Sequence, residues 1–133
     1  MNLYQEQKKL DDAGSEGVWV KFNDDGVEFL VGSMSAPKYQ KVFEAAQKIL
    51  RREYKQRKVP DAVAQDAMIR CMAEGCVFGW KGTTNAAGEP LDFSSDNAAV
   101  VLKDLKRVRD FIAAFANDDD NFISSEDAQT KNS

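Results

Sequence analysis

A chain of 133 residues and 14.8 kDa falls in the range of one domain, and its 43% hydrophobic content supplies a core without disulfides or a structural metal. Histidine is absent, which removes the commonest general base and metal ligand, while a net charge of −4 and a pI near 4.9 argue against a protein that grips nucleic acid by bulk charge. No run approaches the roughly 18–20 apolar residues of a membrane span, and the polar start lacks a secretory pattern, so the chain reads as an intracellular binder or assembly factor.

Residues 1–16 are polar, end in Gly14, Ser15 and, just beyond, Gly17, and read as a flexible N-terminal arm in which Leu3, Tyr4 and Leu10 allow at most a short helix. From residue 17 to 123 the pattern is that of a single domain. Val18, Val20 and Phe22 alternate with Trp19 and Lys21, then Asn23-Asp24-Asp25-Gly26 precedes Val27 to Val31. Alternation around an Asp-Gly pair, which supplies positive φ, predicts a β-hairpin near 18–31. Two strands are not stable alone, so this hairpin must lean on helices.

Pro37 suits a first helical turn, where no amide hydrogen is needed, and Tyr39, Val42, Phe43, Ala46, Ile49 and Leu50 recur at helical steps. The other face is basic: residues 38–58 hold eight lysines and arginines against only Glu44 and Glu53. Pro60 disfavours helical geometry at Val59, so this helix is expected to run from 37 to near 58. A second helix is expected over 61–78, with Asp61 at its positive end and a stripe of small or flexible residues from Val63 to Gly75. Gly79-Trp80-Lys81-Gly82 and the stretch through Asp92 read as a loop anchored by Trp80 and Phe93. Ser94 or Ser95 caps a helical region over 95–116, either one helix or two joined near Asp104. Residues 124–133, rich in Ser, Asp, Gln, Thr and Asn, are expected to be a disordered C-terminal tail. The fold class is therefore mainly α (α+β), an N-terminal β-hairpin packed on a bundle of three to four helices.

The chemistry-bearing residues form no catalytic pattern. Asp118, Asp119, Asp120, Asn121 and Glu126 suggest a calcium loop, but the spacing puts Phe122 at a ligand position, Ile123 where the turn glycine belongs and Gln129 where the bidentate glutamate belongs. Cys71 and Cys76 read as buried, reduced thiols. The glycines match no phosphate-cradling motif. No catalytic, cofactor or metal residue is nominated, and the reading is that of a protein which is not an enzyme. The basic helix 38–58 is either a solvated face or a docking strip for an acidic partner, with Lys48, Arg51, Arg52 and Lys55 as the candidate contacts.

Trp80, Gly82, Gly88, Pro90, Phe93, Ser94, Asn97 and Ala98 stand in the order Gly-Trp-Lys-Gly, Gly-Glu-Pro-Leu, Phe-Ser-Ser-Asp-Asn-Ala. Together with an aromatic helix through Phe111 and Ile112 into an acidic end at Phe122, this order resembles the tail assembly chaperones of long-tailed, siphovirus-like bacteriophages and prophages over about residues 17–123. The resemblance implies a protein that binds the tape measure protein, keeps it soluble and promotes tail tube assembly around it. It implies self-association, action in the host cell cytoplasm and absence from the mature virion. A frameshift-extended form meeting the tail tube protein is also implied, with the polar end from Ser124 as the junction. The motif residues themselves read as structural: Trp80 pins the loop, Gly82 and Gly88 permit turns, Pro90 stiffens the approach and Phe93 packs beside the capped helix start. The alternative is a small regulatory nucleic-acid-binding module using the basic helix 38–58.

Overall fold

The computed structural model describes residues 2–123; the expected tail over 124–133 lies outside them. The chain runs through α1 (Leu3–Glu16), β1 (Val18–Lys21), β2 (Glu28–Val31), α2 (Pro37–Tyr54), α3 (Asp61–Gly75), β3 (Val77–Lys81), α4 (Ser95–Asp104), α5 (Lys106–Ala116) and a 3-10 turn over Asp119–Phe122. It is mainly helical, with a three-stranded antiparallel sheet in the order β1-β2-β3.

The N-terminal residues, expected as a flexible arm, form α1. A capping box starts it: the Gln5 amide donates to Asn2 Oδ1 at 2.9 Å, and the Asn2 amide donates to Gln5 Oε1 at 3.2 Å. Gly17, at φ 89°, ends it. The hairpin follows as its alternation predicts, with Val18 opposite Val31 and Val20 opposite Phe29. Asn23 Oδ1 holds the turn by accepting from the amides of Asp25 and Val27, and Gly26 takes φ 91°.

The third strand is the main departure from the sequence reading. Helix α3 stops at Gly75, and Val77–Lys81, expected as the end of that helix and a turn, pairs with β2: Phe29 faces Trp80, Leu30 faces Gly79 and Val31 faces Val77. Phe78 is the extra residue of a bulge. Its ring covers Gly32, where a Cβ would lie 2.4 Å away, and Lys38 Nζ stands 3.8 Å from its centroid.

Beneath the sheet, Phe29, Val31 and Val77 join Met72, Leu102 and Ile112 in the core. An edge-to-face chain of aromatics runs through it. Phe111 contacts Phe22 at 5.2 Å between centroids, Phe22 contacts Phe29 at 6.1 Å, Phe29 contacts Trp80 at 6.4 Å, and Trp80 contacts Phe93 at 5.1 Å. This arrangement joins α5, the hairpin, β3 and the approach to α4. The region 95–116 is two helices. Leu105 breaks them at φ −115°, ψ 88°, and Arg109 Nη1 donates back to the Leu102 carbonyl at 2.9 Å, taking up an acceptor left at the end of α4.

Candidate functional site

The basic helix α2 lies at the edge of the fold, packed mainly on α3. Pro37 occupies its first turn, and Gln40 Nε2 ties that turn to the Met34 carbonyl at 2.7 Å. Arg51 and Arg52 lie in the last turn, where cations complement the helix dipole. The helix ends at Tyr54, four residues before the expected limit. Lys55 enters positive φ at 52°, and Arg57 folds back to donate from Nη2 to the Glu53 carbonyl at 2.8 Å and from Nε to that of Tyr54 at 3.3 Å.

The apolar stripe of α2 is only partly covered. Tyr39 is buried, close enough to Gly75 that a Cβ there would stand 2.8 Å from its ring, while Val42 and Ala46 are partly buried against the core. Phe43 and Ile49 remain 40% and 54% exposed, and Met68 on α3 is 46% exposed. Around the helix from Phe43 and Ile49, on the adjoining face, lie Lys48, Arg51 and Arg52, with Lys55 just past the helix end, all exposed. Among the described residues, none of these four takes part in an ion pair. The arrangement offers long cationic side chains beside uncovered apolar groups, a surface suited to an amphipathic, acidic segment.

The motif residues come together at the other functional candidate, the loop between β3 and α4. Trp80 is half-buried, and its Nε1 donates to the Leu91 carbonyl at 2.8 Å. Phe93 meets it edge-on at 85°. Gly82 takes φ 72°, and a Cβ there would come 2.4 Å from the Gly26 carbonyl oxygen, so the loop and the hairpin turn touch only because that position is glycine. Gly88, at φ 84°, closes the loop tip, and Pro90 bridges to Thr84. Ser94 Oγ accepts from the Asn97 amide at 3.0 Å, Asn97 Nδ2 donates to the Asp92 carbonyl at 2.9 Å, and Ala98 is buried.

Sequence reasoning missed Asn85, whose Oδ1 accepts from the amides of Ala87 and Glu89 and so organises the loop tip. An Asn three residues before a Gly was the available signal. Trp80, Thr83, Pro90, Leu91 and Phe93 line a shallow depression of about 280 Å³. Its polar equipment is meagre, and the Thr83 hydroxyl beside it is buried without a hydrogen-bond partner among the described residues. These contacts make the cluster a brace between sheet and helix.

Titration offers no reactive group among the shifted residues. Burial pushes the Cys76 thiol up to about 12, helped by Cys71. Burial, with Glu74 nearby, raises Cys71 as well. Both thiols are free and buried, an inert arrangement for a nucleophile. Among the described residues, no three Cys, Asp or Glu side chains are grouped to hold a metal, and no helix is long and apolar enough to cross a membrane.

A model of the YdaY prophage protein family matches residues 34–132. The chain belongs to the YdaY prophage protein family. It is thus a prophage protein, and the matched span takes in the basic helix and the whole Trp80–Ala98 brace, leaving α1 and the hairpin outside. No curated protein and no solved structure matches the chain.

Proposed function

We propose that this prophage protein is a tail assembly chaperone: it binds the tape measure protein, keeps it soluble and promotes tail tube assembly around it. The observation that carries the reading is α2, where uncovered Phe43 and Ile49 flank a helix whose exposed cations Lys48, Arg51, Arg52 and Lys55 have no ion-pair partners among the described residues. A long client must be held at many places by modest contacts, and such contacts gain strength when several copies line one chain. Self-association along the client belongs to this reading, as does a frameshift-extended form that meets the tail tube protein. The protein acts in the host cell cytoplasm, without catalytic turnover, cofactor or metal, and is absent from the mature virion.

Membership in a prophage family and the Trp80–Ala98 order support this reading. The direct test is co-expression of the tape measure protein with and without this chain, measuring soluble client. Soluble client should rise with the wild type and fall back when Lys48, Arg51, Arg52 and Lys55 are reversed in charge. The eight cations of residues 38–58 also favour a second reading, a small regulatory nucleic-acid-binding module. Client solubility indifferent to the protein, together with salt-dependent retention on DNA or RNA at physiological ionic strength, would replace the chaperone by that module.

A further inference from the structure

β1 is an outer strand of the sheet, and its free margin is defined by the main-chain groups that β2 does not use. The Phe22 amide donates to the Val27 carbonyl at 2.9 Å. Successive residues of a strand turn their amide and carbonyl to opposite sides, so Val20 and Val18 bond β2 in the same way, while Trp19 and Lys21 turn theirs outward. Among the described residues, no hydrogen bond reaches the main chain of Trp19 or Lys21 from that side. Helix α1 leads away from this margin: its last turn is fastened to Ser33 and Ala36, beyond the end of β2, and it packs on α2 and the 3-10 turn. An unpaired strand edge is a template for another chain.

The side chains select the chain. Trp19 and Lys21 lie on the outer face, where Trp19 is 44% exposed and Lys81 Nζ stands 4.4 Å from its ring. On the core face Val18, Val20 and Phe22 are each only partly buried. A two-fold axis at Val20 sets Trp19 of one copy opposite Lys21 of the other, and each such pair exchanges both main-chain bonds. Below the sheet Val20 then meets Val20 and Val18 meets Phe22; above it the Lys21 cation meets the partner's indole. Neighbouring registers lose this match. An axis at Lys21 places lysine on lysine, and an axis at Trp19 sets Lys21 against Gly17, whose amide already donates to the Ala13 carbonyl at 2.9 Å.

We propose that β1 pairs antiparallel with β1 of a second copy about a two-fold axis at Val20, joining the two three-stranded sheets edge to edge. An unrelated strand satisfies the main chain, but only a second copy brings cation to indole and valine to valine in the same register by symmetry alone. The four-residue edge makes this a weak contact, of the class burying less than about 1,200 Å², suited to copies already gathered on a client. It gives the self-association of the chaperone reading a surface, yet rests on the sheet margin and not on that reading.

The test is concentration dependence in the full chain, from about 10 μM to 1 mM, followed by sedimentation and by amide exchange. The weight-average mass should rise towards that of a dimer, and the Trp19 and Lys21 amides should slow at least ten-fold while those of Val18 and Val20 are protected throughout. Lys21→Pro removes an outward donor that β2 does not use, and Trp19→Lys keeps the main chain but sets lysine on lysine; each should weaken association at least ten-fold. A thermal melt of the dilute protein shows whether each variant still folds. Val20→Cys should oxidise to a linked dimer, since directly opposed Cα atoms lie about 4.5 Å apart, whereas the more exposed Lys21→Cys should not, its counterpart being displaced along the partner strand.

A chain that stays monomeric with both amides unprotected would overturn the inference. So would a dimer indifferent to Trp19→Lys and Val20→Cys, because another surface would then be responsible. Protection of the two amides by a tape measure segment, in a chain monomeric by itself, would give the edge to the client and also overturn it. Soluble client in co-expression with no dimer at β1 removes only this inference, and a β1 dimer with indifferent client solubility removes only the chaperone.

Discussion

Gly14 lies directly under Ala36: a Cβ on the glycine would stand 2.9 Å from that of Ala36 and 2.7 Å from that of Ser33. The Ser33 amide donates to the Gly14 carbonyl at 3.0 Å, so the last turn of α1 is fastened to the segment that opens α2. Gly14→Val should therefore detach α1 without unfolding the core. Amide exchange should accelerate across residues 3–16 while Met72 and Ile112 stay protected. Unchanged protection in α1 would show that the close approach is not what holds it.

Trp80 is half-buried and makes one hydrogen bond, so Trp80→Ala should destabilise the domain by about 3 kcal/mol, the lower end for truncating a packed aromatic. Trp80→Phe keeps the ring against Phe29 and Phe93 but gives up the bond to Leu91, and should cost about 1 kcal/mol. Denaturant titration of both variants separates packing from the hydrogen bond.

The buried Thr83 hydroxyl has no partner among the described residues. Thr83→Val, nearly the same shape, should raise stability by roughly 1 kcal/mol, because an unpaired polar atom is replaced by an apolar one. A lower melting temperature would mean that the hydroxyl is satisfied in solution.

Alkali should weaken the fold. Cys76 is pushed from 9.0 to about 12 by burial, and Tyr39 from 10.0 to about 12 by burial with Cys71 and Cys76 adding to the effect. Both groups are neutral when protonated, and the unfolded chain loses those protons first. Stability is thus fully present below pH 9 and declines between about 9 and 12. Iodoacetamide at pH 8 should label neither cysteine until denaturant is added.

Charge reversal at Lys48, Arg51, Arg52 and Lys55 should abolish client solubilisation with little change in melting temperature. Exposed cations contribute little to stability. Arg51 and Arg52 complement the end of the helix dipole, and reversing each should cost only a few tenths of a kcal/mol. A large drop in melting temperature would assign these side chains to the fold.

Where the sequence carried a strong local code, the structure follows it. Val18 to Val31 alternates around a turn with an obligate glycine, Pro37 opens α2, and Ser94 caps α4. The misreadings have physical causes. Val77–Lys81 becomes a strand because β2 offers an edge, and nothing within those five residues announces a partner so far back in the chain; Gly79 and Trp80 read locally as a turn. The capping box at Asn2 and Gln5 was visible, but α1 is a polar helix whose packing depends on one glycine. The brace around Trp80 was legible residue by residue. The uncovered side of α2 was not, because a helical stripe alone does not reveal which of its apolar groups find cover.

The pairing of β3 with the hairpin also sets an order of events during synthesis. β1 and β2 leave the ribosome first, but two strands are not stable alone, and the strand that completes their sheet is translated only after α2 and α3. At about 5–20 residues per second, that interval is on the order of seconds. In it Phe29 and Val31 have no core to enter, whereas α2 and α3, neighbours in sequence, have only a short loop to close. The helical pair is thus the natural nucleus of the nascent chain, and the oldest strands are among the last to be secured.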